Sequence, residues 1–206
     1  MQHGPPMPII YLDWETAHLH GEAWISHHRL RYRLFVERQQ WRVPNVNGLE
    51  YDQFDTPAAR YVLWVDDHGQ TRGVTRLVPT TRPYMVQALW PHLVDGELPC
   101  APFVWEATRF GCDQDLDPAL RRQIVHALIC GCLEFGLMNG ISKLLCVMPL
   151  GIFRSVIQSS GCSITLLGPA KQMGRHRVAA AYVDVSAKVL ATVRRRLAFG
   201  EVQLVE

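Results

Sequence analysis

F-V-W-E-A-T-R-F-G-C-D-Q-D-L-D-P-A-L-R-R-Q-I-V-H-A-L-I-C-G-C-L-E-F-G-L-M-N-G-I-S-K-L-L-C-V-M, residues Phe103–Met148, reads as strand, helix, strand. Phe103–Cys112 is the first strand. Asp117 opens a long helix, and Pro118 suits its first position, where a missing N–H costs nothing. The helix runs to about Asn139, and Gly140 suits its end. Lys143–Met148 is then a short apolar run, the pattern of a buried strand. Such a unit belongs to a sheet with helices laid on it.

Upstream, Tyr61–Val65 reads as a strand, Asp66–Gly69 as a turn and Arg72–Val78 as the hairpin partner. Residues 9–12 form a short first strand. Leu19–Gln39 reads as a helix in two pieces, with Leu30 and Leu34 on one stripe. Residues 40–59 carry Pro44, Asn45, Asn47, Gly48 and Pro57 and read as a long ordered loop, a kind that is often functional. Tyr84–Leu93 reads as a short helix. After Met148 comes a helix to about Ser160, strands at Ser163–Leu167 and Val178–Val185, and a last helix at Ser186–Leu197. Early strands pair as hairpins and later ones alternate with helices. The expected fold is therefore α/β, a single-domain α/β/α sandwich around one mixed sheet, with residues 1–206 as one domain.

The 206 residues are 48% apolar and 19% charged, enough to fill one core and too apolar for disorder. A net charge of +2 argues against wholesale nucleic-acid binding. The longest apolar run, Val125–Ile141, is broken by His126 and Glu134 and falls short of a membrane span. Met1–Ile10 lacks the basic and apolar regions of a leader, so a cytoplasmic location is expected. Cys100, Cys112, Cys130, Cys132, Cys146 and Cys162 form no C-x-x-C pair, so they read as reduced thiols and no metal is expected.

One group of residues stands out by type. Arg31 and Phe35 are four apart on a helix and share a face. Trp41 stands at the mouth of the loop, and Asp52 and Asp55 lie within it. Arg76 lies on the second hairpin strand between Val74 and Val78, an apolar face on which a guanidinium must find a carboxylate. Asp52, Asp55 and Glu106 are the candidates; alternatively, Arg76 only pins the loop to the sheet. Glu106 and Arg109 are three apart on one strand and would point to opposite faces unless a bulge intervenes, expected near Ala107–Thr108.

Four stretches in order resemble the LuxI-type acyl-homoserine lactone synthases: R-L-R-Y-R-L-F-V-E-R-Q-Q-W (Arg29–Trp41), E-Y-D-Q-F-D (Glu50–Asp55), G-V-T-R-L-V-P-T-T-R-P-Y-M (Gly73–Met85) and W-E-A-T-R-F (Trp105–Phe110). The family's charged and aromatic set is complete here: Arg31, Phe35, Trp41, Asp52, Asp55, Arg76, Glu106 and Arg109. The resemblance implies a fold like the GNAT acetyltransferases. It also implies acyl transfer from a thioester to the amine of S-adenosylmethionine, then lactone closure with release of methylthioadenosine. No prosthetic group is implied, only these two substrates. The rival readings are a GNAT-type acyltransferase for another small amine and a nucleic-acid module built on Arg29, Arg31, Arg33, Arg38 and Arg42.

The residues suit that chemistry. Phe35 and Trp41 offer faces to a sulfonium, Asp52 and Asp55 offer carboxylates to an ammonium, and Arg31 and Arg109 are both candidates for the ligand carboxylate. Glu106 is the candidate base, acting through a water, with Asp52 and Arg109 beside it in the catalytic set. Backbone N–H groups of a bulged strand, and Thr108, are candidates for the oxyanion.

The segment Cys112–Gln123 lacks the glycines that usually cradle pyrophosphate, which counts mildly against ordinary acetyl-CoA use. Arg121, Arg122, Lys143, Arg154, Lys171 and Arg175 offer charge to an acyl carrier protein or to coenzyme A, so the donor stays open. Phe103, Leu145, Val147, Met148 and Phe153 are candidates for the acyl pocket, with Leu137, Ile152 and Val156 behind them, and each is equally an ordinary core residue. Lys143–Leu150 holds no threonine, which leans away from a 3-oxo chain. Bulky Met148 and Phe153 lean toward a short, branched or aryl group.

Overall fold

The computed structural model describes residues 9–197, in two compact units. Among the described residues the first unit comprises those up to Leu77 together with Arg109–Cys132, and the second Val78–Thr108 and those from Leu133 onward.

In the first unit, β1 (Ile9–Leu12) pairs antiparallel with β4 (Arg60–Val65), Leu12 facing Tyr61. β4 pairs antiparallel with β5 (Thr71–Pro79), Tyr61 facing Arg76. The turn between them is tied by Asp66 Oδ1, which accepts the N–H groups of His68 and Gln70. β5 is followed in the sheet by β6 (Val104–Cys112). Helix α1 (Gly21–Arg31) runs on into wider turns over Tyr32–Arg38, the two pieces expected from the sequence. Inside the loop sits a small hairpin, β2 (Asn45–Val46) and β3 (Leu49–Glu50), whose turn residues Asn47 and Gly48 both take positive φ. Gly73 and Gly111 let neighbours close in. A Cβ on Gly111 would sit 2.8 Å from Leu34, and one on Gly73 would collide with Ile124.

In the second unit, Val104–Glu106 of β6 run parallel to β7 (Lys143–Pro149), with α3 (Pro118–Met138) as the connection. β7 pairs antiparallel with β10 (His176–Asp184), which also carries β8 (Ile164–Leu166) and β9 (Lys171–Met173). The sheet is thus mixed, as the sequence implies. Helix α2 spans only Met85–Leu89, because Pro91 lacks the N–H to extend it and a 3₁₀ turn, Pro91–Leu93, follows. Helix α4 (Leu150–Ile152) opens into wide turns over Phe153–Gln158, and α5 (Ala187–Leu197) closes the described chain. β9 had no sequence signal, being three residues with no apolar alternation. Among the described residues no helix is long and apolar enough to cross a membrane. Residues 1–8 of the segment read as leaderless lie outside them.

Candidate active site

Six charged side chains of the first unit close into a ring of alternating sign. Arg31, the last residue of α1, donates Nη1 and Nη2 to Asp55 Oδ1 and Oδ2 at 2.7 and 2.8 Å. Its Nε donates to Glu50 Oε2 at 2.5 Å. Glu50 also accepts from Arg109, whose Nη2 lies 2.9 Å from Oε1 and whose Nε lies 3.2 Å from both oxygens. Arg109 Nη2 donates again to Asp52 Oδ2 at 2.6 Å. Asp52 takes Arg76 Nη1 and Nη2 at 2.5 and 3.1 Å, and Arg76 Nη1 lies 2.9 Å from Asp55 Oδ1, closing the ring. Three cations face three anions, so the buried cluster is neutral. Neutrality and near-complete hydrogen bonding are what make six desolvated charges tolerable.

The loop after β3 is built to present its carboxylates. Asp52 Oδ1 accepts the Phe54 N–H, Asp55 Oδ2 accepts the Asp52 N–H, and the Asp55 N–H donates to the Asp52 carbonyl. Aspartates favour such side-chain-to-backbone turns. From behind, Tyr61 on β4 donates its hydroxyl to Asp55 Oδ1 at 2.7 Å, and Tyr51 donates to the Asp55 carbonyl. His28 Nδ1 lies 2.8 Å from the Glu50 carbonyl, which can only accept, so this nitrogen carries the proton.

Electrostatics follow from this packing. Burial alone would raise the Asp55 carboxyl, but hydrogen bonds and charge from Arg31, with Arg76 beyond, hold it well below the usual carboxylate range. Burial and the Asp55 charge push the Tyr61 phenol up. Burial, then the neighbouring His28 and Arg31, push the His27 imidazole well down, and burial, then Arg31, lower His28.

The ring is not uniformly sealed. The side chains of Arg31, Glu50, Asp55 and Arg76 are fully buried, while 6% of Asp52 and 3% of Arg109 remain accessible. At this edge the Arg109 guanidinium lies over the Phe35 ring, 5.3 Å from its centroid. Phe35 stacks on Trp41 with centroids 5.1 Å apart and planes 18° apart. A turn at Gln40, φ +57°, folds Trp41 back so that its N–H donates to the Phe35 carbonyl. Trp41 is 43% exposed, leaving one face of the stack to solvent.

The strand alternation breaks as the sequence requires. In β6 the buried positions are Val104 and Glu106, then Arg109 and Cys112. The left-handed residue is Arg109 itself, φ +56°, just beyond the expected Ala107–Thr108. In the second unit, Glu106 is fully buried, and its carboxylate accepts the Met85 and Val86 N–H groups of α2 at 2.9 and 2.6 Å. Tyr84, beside it, is pushed up to about 12 by burial and then by the Glu106 charge. Thr108 is half-buried. Of the acyl-pocket candidates, Leu145 and Phe153 are buried, Val147, Met148 and Val156 half-buried, and Phe103, Leu137 and Ile152 exposed.

The structure therefore brings Arg31, Asp52, Asp55, Arg76 and Arg109 into one network and sets Phe35 and Trp41 at its edge. Sequence reasoning missed Glu50, although it opens the quoted motif E-Y-D-Q-F-D. Three buried arginines needed three carboxylates, and Glu106 had been counted as the third. Tyr61 gave no signal beyond its place in a strand, and His28 none beyond its place beside the basic run of the nucleic-acid rival.

Comparison with known proteins identifies relatives in sequence and in fold. A family model described as autoinducer synthase matches residues 18–193. An acyl-homoserine-lactone synthase of Acinetobacter nosocomialis is 30% identical over 162 residues, covering 75% of this chain and 88% of that protein. A solved CoA-dependent acyl-homoserine lactone synthase, BjaI, holding SAM and isopentyl-CoA, superposes with a TM-score of 0.85 at 28% identity. That match covers 97% of this chain and 93% of the other. A Lactobacillus plantarum protein described as an N-acetyltransferase superposes at TM-score 0.57 over 88% of this chain and 99% of its own, at 14% identity, which speaks to the fold alone.

Proposed function

The chain belongs to the autoinducer synthase family, and from that premise we propose that it makes an acyl-homoserine lactone from S-adenosylmethionine and an acyl thioester. The observation that carries the reading is the neutral ring whose accessible edge, Asp52 and Arg109, lies against the Phe35–Trp41 stack. The α-amino acid end of S-adenosylmethionine is itself a pair of opposite charges. Its ammonium takes Asp52 and its carboxylate takes Arg109, replacing the 2.6 Å link between them without changing the charge of the cluster. Arg109 rather than Arg31 is the carboxylate's partner, because Arg31 is sealed between Asp55 and Glu50. The sulfonium rests on the aromatic faces. Arg31, Asp55, Arg76 and Glu50 fix this edge from behind.

Attack on the thioester needs a neutral amine. Glu106 is the proposed base, acting through a water; two backbone donors orient its carboxylate. Thr108 and N–H groups of β6 are the candidates for the oxyanion. Lactone closure then asks for positioning, since the sulfonium is already a good leaving group. For the donor we propose a coenzyme A thioester with a short or branched chain and no 3-oxo oxygen. The lack of a threonine in Lys143–Leu150 and the isopentyl-CoA held by BjaI support this choice. An acyl carrier protein is the competing donor.

The test incubates the chain with S-adenosylmethionine and a panel of acyl-CoA and acyl-carrier thioesters. Mass spectrometry should find lactone and methylthioadenosine in equal amounts, with branched acyl-CoA turned over fastest. Acylated amine without methylthioadenosine would make the protein a plain acyltransferase. Glu106→Gln should lower kcat far more than it weakens binding of S-adenosylmethionine; equal losses would make Glu106 a structural residue.

A further inference from the structure

On the first unit, a cleft of about 280 Å³ opens between α1 with its continuation and the start of β5, lined by Ser26, Arg29, Arg33, Gln70, Thr71 and Arg72. Three guanidiniums and no carboxylate stand on its wall. Two of them are fixed from behind: buried Asp113 accepts Arg33 Nη2 and Arg72 Nη1 on the same oxygen, each at 2.9 Å. Arg72 Nε is held by Asp66 at 2.7 Å. Among the described residues the Arg29 guanidinium makes no hydrogen bond, only a half-exposed contact with Glu22 at 3.7 Å, and Glu22 already accepts Gln70 Nε2 at 2.6 Å. Arg33 Nη1 has only exposed Asp115, at 3.9 Å. The hydroxyls are engaged within the wall: Ser26 Oγ takes the Thr71 N–H, and Thr71 Oγ1 donates to the Ala23 carbonyl.

The close pairs thus join two carboxylates, Asp113 and Asp66, to two guanidiniums, Arg33 and Arg72; Arg29 has no close partner, and several N–H donors of the three remain unfilled. We propose that this cleft is a phosphoryl-binding site. A carboxylate offers two oxygens, too few for three converging forks, whereas a phosphoryl group offers three and carries up to two charges. Arg33 and Arg72, pinned side by side by Asp113, are pre-organised for it. Arg29 is the mobile partner that closes on the third oxygen.

The test titrates the full chain with inorganic diphosphate by calorimetry in about 0.1 M chloride, a level that screens diffuse surface attraction. Arg29→Gln should weaken binding about tenfold, the worth of one charge-assisted hydrogen bond. Arg195→Gln, an exposed arginine of α5 outside the cleft, should change nothing. The Arg29 side chain has no hydrogen bond to lose in the fold, so its variant reads the site even if Arg33→Gln destabilises the protein. Absence of diphosphate binding, or equal weakening by Arg29→Gln and Arg195→Gln, overturns the proposal. Two sources are then separated by kinetics. If the phosphoryl group is the acyl donor's own, Arg29→Gln raises the KM for acyl-CoA toward that of its 3′-dephospho analogue, and diphosphate competes with the thioester. If it is a free anion, both KM values stay put while diphosphate binding still falls.

Discussion

Replacing Glu50 by glutamine should destabilise the protein more than any other isosteric change in the ring. Glu50 is fully buried and bridges Arg31 and Arg109. Glutamine keeps the volume and one acceptor but leaves three guanidiniums facing two carboxylates in a dry site. Removing one partner of a buried pair costs roughly 3–5 kcal/mol. The retained amide oxygen, and the bidentate hold of Asp55 on Arg31, place this case near 3 kcal/mol. For a chain of this size that is a fall in Tm of about 6–12 °C. Urea titration with an unchanged m value is the assay, since it reads stability without a change in the surface exposed. Glu50→Asp is the control. It keeps the charge and shortens the side chain, so it should cost less than glutamine if charge balance governs the site. A glutamine variant within about 0.5 kcal/mol of the parent, or an aspartate variant worse than it, would mean that Glu50 matters only for packing.

Acid should weaken the fold through His27 and His28. Both imidazoles are pushed down by burial, so between about pH 6.5 and the lowered folded values the unfolded chain binds protons that the folded chain does not. Stability is full above that window and falls by up to about 1.4 kcal/mol per pH unit for each group within it; His27→Gln should flatten the slope between pH 6.5 and 5, and an unchanged slope would acquit His27. Asp55, held low by Arg31, should keep its contribution until far below the usual carboxylate range, so an acid transition centred near pH 4 in the wild type but absent in Asp55→Asn would contradict its pairing. Trp41→Ala should leave Tm nearly unchanged because the ring is half exposed, yet weaken S-adenosylmethionine about tenfold through loss of one cation–π face; equal affinity would move the sulfonium elsewhere. Decarboxylated S-adenosylmethionine should bind at least tenfold more weakly than the parent, since an ammonium that takes Asp52 would leave Arg109 without an anion in exchange; equal affinities would show that the ring does not open.

The fold was legible where periodicity and punctuation agree. The hairpin Tyr61–Val78, the strand–helix–strand from Phe103 and the two-piece helix before Trp41 all follow from apolar spacing with proline and glycine at the ends. What escaped lacks such signals. β9 is too short to have a period, whereas α2 stops before Pro91, a breaker that the reading Tyr84–Leu93 ran through. For the site, the sequence supplied residue types and a topological demand: two residues three apart on one strand cannot both turn inward without a break, and the break occurs. It did not supply the pairing. Which carboxylate meets which arginine depends on the loop that carries Asp52 and Asp55, whose conformation is fixed by its own side-chain-to-backbone bonds and by Tyr61 and Tyr51 behind it.

The pairing matters because it separates two duties that the residue types alone confuse. An arginine held by two carboxylates in a dry interior is a strut. Its charge is spent locally, and bringing a ligand to it would require unpacking the core. Arg31 and Arg76 are in this position, as is Asp55, whose oxygens are shared among Arg31, Arg76 and Tyr61. Arg109 differs in geometry. It stands on a left-handed backbone at the accessible edge, lies over an aromatic ring, and keeps Glu50 as a second partner if Asp52 is taken away. A ligand that brings both charges gives Arg109 and Asp52 each a new partner in exchange for the other; a ligand that brings one does not. Under the proposed reaction the carboxylate is consumed in the lactone and the amine becomes an amide, so neither charge that opened the ring survives. Arg109 and Asp52 then regain each other, and the re-formed link favours release of the neutral product over its retention.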